Sequence, residues 1–180
     1  GGISTYLRSL DENLDHKFFI YGPSWIEGDD AYPAEETFII NPRKVFEDIQ
    51  KIVYDNQIDI ILHGSSNPNF LFVNKLNTLN VPNSPKNVKI PQYMICHGAE
   101  FNVLNYIPIV RNLLSRNLDN LNTIFTVSEF SRKKLVDITD TEIINIGAGI
   151  EIPNYENSYE NNVPLTIGAV SYTHLRAHET

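Results

Sequence analysis

Strand and helix signals alternate along this chain, and that alternation restricts it to few architectures. Four short, largely apolar runs, at 58–62, 93–96, 123–127 and 143–146, stop at His63-Gly64, His97-Gly98, Ser128 and Gly147-Ala148-Gly149. Such runs, rich in β-branched residues and lacking polar alternation, predict strands buried on both faces. Helical spacing fills the gaps. Asn41-Pro42 predicts a helix start, Asn as N-cap and Pro in the first position, with Val45, Ile49, Ile52 and Val53 inward. Another helix is expected over about 69–79, and one from Pro108 with Ile109, Val110, Leu113 and Leu114 inward. Ser128 is expected to cap a short fourth one. The stretch 81–91, with its three prolines and two lysines, predicts a surface loop.

Ahead of these, a helix carrying Ile3, Tyr6, Leu7, Leu10 and Leu14 follows Gly1-Gly2 directly. A strand at 18–21 is stopped by Gly22-Pro23. A polar loop with Trp25, Asp29 and Asp30 comes next, then a strand at 38–40. The whole pattern predicts an α/β domain: an open, doubly wound, Rossmann-like parallel sheet with helices on both faces. Such sheets bind ligands at the carboxyl ends of their strands, the edge where His63, His97, Ser128 and Gly147 are expected.

A length of 180 residues, 42% hydrophobic, supports one substantial core rather than an ordinary two-domain enzyme. The net charge of −8 argues against general affinity for nucleic acid or anionic lipid, though not against a local basic patch. Cys96 is the one cysteine, so no internal disulfide forms, and 21 asparagines include no glycosylation sequon. Both features predict a reducing cytoplasm. No apolar run approaches the ~20 residues of a membrane helix. The abrupt Gly1-Gly2 start, without a charged leader, is expected to be the edge of a fragment.

Few residues carry candidate chemistry. Gly1-Gly2 before a helix would let a phosphate approach unpaired backbone N–H groups, although any tight strand-to-helix turn can use two glycines. His97, opening the loop Gly98-Ala99-Glu100, could meet a sugar hydroxyl; satisfaction by nearby backbone is at least as good a reading. Cys96 beside it points to the other face of its strand and is read as a small buried hydrophobe. His63 is read as a histidine that opens a loop. Arg132-Lys133-Lys134 could face a phosphate or a lipid headgroup, but a solvated helix face is the commoner outcome. The five histidines do not cluster with carboxylates at metal-ligand spacing, and Asp-x-Asp is absent.

Taken in order, these segments resemble the N-terminal domain of retaining glycosyltransferases of family 4, which have the GT-B fold. The matching stretches are Gly1-Gly-Ile-Ser-Thr-Tyr6, Asp59-Ile-Ile-Leu-His63 and Met94-Ile-Cys-His-Gly98. The most specific is Ile124-Phe-Thr-Val-Ser-Glu-Phe-Ser-Arg-Lys-Lys-Leu135, and Ile144-Asn-Ile-Gly-Ala-Gly-Ile-Glu151 closes the series. The resemblance implies that Gly1 and Gly2 lie near a nucleotide diphosphate and that His97, with Gly98 and Glu100 after it, lies near the donor sugar. It implies that Ser128 caps a helix lining the cleft. Gly149 would match the last motif, where Gly147 and Ala148 replace the family's Pro-Asn.

On this resemblance, residues 1–164 form the acceptor-side domain without its first strand, and 165–169 begin the C-terminal domain. Residues 170–180 depart from the family and resemble a translated sequencing adapter, so they are expected to lie outside the native fold. The intact enzyme would pass a sugar from a nucleotide-sugar donor to a sugar, lipid-linked or polyol acceptor with retention, using no cofactor. It would work in the cytoplasm or at the inner face of the membrane; the fragment alone would be inactive. A non-enzymatic α/β binding module is the alternative. A nicotinamide-dependent oxidoreductase is disfavoured, because Gly147-Ala-Gly149 lacks the third glycine of the dinucleotide fingerprint.

Overall fold

The structure, a computed structural model, describes residues 2–13, 15–22, 30–34, 41–66, 68–84, 87–98 and 108–147. All of them fall in one compact unit, Gly1–Ala148. The expected strand at 38–40, residues 1, 99, 100, 149 and the segment 165–180 lie outside the described residues.

Helix α1 (Gly2–Asn13) leads into strand β1 (Ile20–Gly22), which pairs in parallel with β2 (Ala31–Pro33). Helix α2 (Pro42–Asp55) starts as its sequence requires: the Asn41 side chain accepts from the Lys44 N–H at 3.1 Å, and Pro42 occupies the first turn. Val45 and Val53 are buried on its inner stripe. Strand β3 (Ile61–His63) follows. A 3₁₀ turn (Asn69–Phe72) then runs into the single-turn helix α3 (Val73–Leu76). Beyond these come β4 (Gln92–Cys96), α4 (Pro108–Leu118), β5 (Thr123–Thr126), α5 (Glu129–Val136) and β6 (Ile143–Asn145).

The last four strands form one sheet in the order β3-β4-β5-β6, every pair parallel. This is an α/β domain with a parallel sheet flanked by helices, consistent with a Rossmann-like fold. The register puts Met94, Cys96 and Ile124 on one sheet face, where they pack with Leu114 and Leu118 of α4 and Leu135 of α5. A second cluster, centred on Val45, Val53, Phe72, Leu76, Leu79 and Ile90, joins α2 to α3.

Several boundaries differ from the sequence reading. Pairing of β3 begins at Ile61, and Ile60 stays largely exposed, so Ile58-Asp-Ile60 stays outside the ladder. The helix expected over 69–79 is broken into a 3₁₀ turn and one α turn. The stretch 81–91 is a surface loop only in part: Asn80 and Lys89 form an antiparallel bridge that presses Ile90 into the core. Leu113 points outward at 45% exposure, whereas Leu114 is fully buried. The two lie about 100° apart around the helix, and the face turned to the sheet takes Leu114 and leaves Leu113 outside it. Among the described residues, no helix is long and apolar enough to cross a membrane.

Candidate functional site

Because β3, β4 and β5 run in parallel, their carboxyl ends emerge along one edge of the sheet. That edge gathers His63, Gly64, His97, Gly98 and Ser128, and it adds Ser131, to which the sequence reading gave no role of its own.

His97 follows β4 directly. Its Nε2 lies 3.0 Å from the Gly64 carbonyl oxygen, which can only accept, so Nε2 carries the proton and donates. The ring therefore clamps the start of one edge loop to the start of the next, which is the backbone-satisfied arrangement. Its half-burial leaves part of the imidazole at the surface. Gly98 has φ +99°, a conformation that side chains rarely adopt, and a Cβ there would collide with the Ser131 hydroxyl. Only glycine lets this loop leave the strand and pass so close to α5.

Ser128 caps α5: its Oγ accepts from the Ser131 N–H at 3.1 Å and lies 2.8 Å from the Ser131 Oγ. Ser131 is wholly buried, so one serine pair ties the end of β5, the helix and the His97-Gly98 loop together. Nothing in Ser131-Arg-Lys-Lys read as interior; its glycine contact comes from a segment more than thirty positions away, beyond any local pattern. Thr126, the last residue of β5, is also wholly buried, and its hydroxyl has no partner among the described residues. A hydroxyl stranded beside the carboxyl edge is costly unless something else bonds it.

His63 behaves differently. It is the last residue of β3, only 6% exposed, with Nε2 3.1 Å from the Gln92 Oε1. Gln92 donates its own amide to the Val73 carbonyl at 3.1 Å, which fixes Oε1 as the acceptor and makes His63 the donor. Burial pushes the imidazole below its ordinary value of 6.5, outweighing the Gln92 bond, which favours the cation. This histidine is a sheet component, not the start of a loop, and Gln92 is a partner the sequence reading missed.

The sign of its pH dependence follows. The folded state resists protonating His63, whereas the unfolded chain takes up the proton near 6.5. The stability contributed by neutral His63 is therefore complete above that value and is lost as pH falls below it, by up to ~1.4 kcal/mol per pH unit. Urea midpoints at pH 7, 6 and 5 should fall more steeply for the native chain than for His63→Gln. Parallel slopes would show that His63 is protonated without penalty in the fold.

Arg132 is engaged by its own helix. Its guanidinium makes two contacts of 2.9 Å to the Glu129 carboxylate, and that hydrogen bonding holds Glu129 below its usual range. Lys134 sits 4.4 Å from the centre of the Phe130 ring. The basic run is thus mainly a solvated helix face. Among the described residues, no three His, Cys, Asp or Glu side chains group as metal ligands.

Comparisons with protein-family models, with curated proteins and with solved structures found no match for this chain.

Proposed function

We propose that the chain is the acceptor-side half of a GT-B glycosyltransferase, one that moves a sugar from a nucleotide-sugar donor to an acceptor with retention. The observation that carries this reading is the carboxyl edge itself. A half-exposed imidazole, a glycine loop at positive φ and a capped helix start converge there, at the edge where parallel α/β sheets hold their ligands. The order of the motifs from Gly1-Gly2 to Glu151 adds to it. Gly2, His97, Gly98 and Ser128 would face the cleft, with the Nδ1 of His97 accepting from a sugar hydroxyl near the reaction centre while its Nε2 donates to Gly64. The donor's phosphates and the remaining chemistry would belong to the C-terminal domain, so the half described here would bind without turning over.

The test compares two histidines in the intact enzyme. His97→Ala should lower kcat and kcat/KM together by roughly ten- to a hundredfold, the effect of losing one transition-state hydrogen bond of ~1–3 kcal/mol. His63→Ala should instead lower the melting temperature and leave kcat near the native value. Equal, small kinetic losses accompanied by matching stability losses would sink the assignment of His97.

A further inference from the structure

Gly64 sits where three elements meet. His63, just before it, is anchored in the sheet by Gln92. His97, at the end of β4, donates to its carbonyl at 3.0 Å. Helix α1 closes the third side: a Cβ on Gly64 would lie 2.5 Å from the Leu7 Cδ1, 3.2 Å from its Cδ2 and 3.4 Å from its Cγ. Leu7 and Leu10 are half-buried while Arg8 and Ser9 between them are exposed, so helical periodicity itself turns Leu7 inward.

Two histidines at this edge are followed by glycine, for different reasons. Gly98 has positive φ and Gly64 does not. The backbone at Gly64 would accept a side chain, and the nearest atoms in its way all belong to Leu7. Turning the end of that leucine gives little relief, because both methyls and the carbon bearing them crowd the position, and one methyl replaces the other. Relief has to come from a shift of α1 or of the Gly64 peptide, whose oxygen holds the His97 ring. Close-packed groups pass such shifts on to their neighbours.

We propose that Leu7 and Gly64 are positioning residues for His97. Through Leu7, helix α1 keeps the Gly64 carbonyl where it takes the Nε2 proton of His97, and that bond fixes both the tautomer and the direction of the ring. A change in the seating of α1 therefore reaches a side chain on a separate element, far along the chain. How His97 acts on a substrate rests on the glycosyltransferase reading; its placement by Leu7 and Gly64 does not.

The test labels the histidine ring nitrogens and follows, by NMR at pH 8, their tautomers and the exchange of their N–H protons with water. It compares the native chain, Leu7→Ala, Gly64→Ala and the double variant. In the native chain His97 should carry its proton on Nε2 and exchange it slowly. Gly64→Ala should mix the tautomers and speed that exchange roughly tenfold, the effect of losing one hydrogen bond. Leu7→Ala should do the same to a lesser extent. The double variant should return close to the native spectrum, because the alanine methyl enters the space that Leu7 leaves. His63, bonded to Gln92, reports in the same spectra that the sheet is intact. Should Gly64→Ala alone fail to fold, Leu7→Ala and the double variant carry the comparison. Unchanged His97 signals in either single variant overturn the proposal, and so does a double variant no closer to native than the single ones. No sugar enters the measurement, so a failure of the glycosyltransferase reading leaves its outcome untouched.

Discussion

Leu114→Ala should lower the unfolding free energy by about 2–5 kcal/mol, whereas Leu113→Ala, one residue away, should change it by less than ~0.5 kcal/mol. The two leucines share a helix, a residue type and a sequence context, so the contrast isolates burial. Leu114 has no exposed surface and packs in the cluster with Met94, Cys96 and Ile124, where a cavity cannot close without moving the sheet. Leu113 faces outward. Chemical denaturation of both variants, with equal slopes against urea, gives the two values directly. Comparable losses at the two positions would mean that α4 is rotated from the orientation described.

Gly98→Ala should cost about 2–4 kcal/mol, from two causes that can be separated. A side chain at φ +99° is strained by ~1–3 kcal/mol, and the new Cβ displaces the Ser131 hydroxyl from its bond to Ser128, a further ~1 kcal/mol. Ser131→Ala removes the second cause and leaves the first. The double variant should therefore be more stable than the sum of the two single losses implies, by roughly 1 kcal/mol. Strict additivity would mean that glycine is needed at this loop for its backbone alone.

Where local chemistry decides, the sequence is an adequate guide. Asn41-Pro42 and the stripe behind it specify α2, and Ser128 specifies the start of α5, because capping and periodicity act within one turn. Parallel pairing was legible from apolar runs lacking alternation. Strand β2 was not: Ala31-Tyr-Pro33 has no β-branched residue and contains a proline, tolerated at the end of a strand on the sheet's edge. The start of β3 depends on where Pro91 offers its carbonyl, a matter of tertiary register.

The candidate site divides along the same line. His97, Gly98 and Ser128 stood out because loops begin at them. Ser131, Gln92 and the Gly64 carbonyl take part through contacts distant in sequence, and a buried serine inside Ser-Arg-Lys-Lys carries no local mark. The two histidines had the same His-Gly signature. One turned inward to an amide and the other across to a neighbouring loop, a difference set by the residues facing them.

The unbroken order β3-β4-β5-β6 has a kinetic consequence. Each strand's partner lies about thirty residues further on or closer, so every pairing closes a short loop and the entropy lost per step stays small. The sheet can grow in one direction as successive segments leave the ribosome, without waiting for a distant part of the chain. Assembly of the four-stranded sheet should accordingly tolerate changes near the start of the chain, since among the described residues none of its strands pairs with that region.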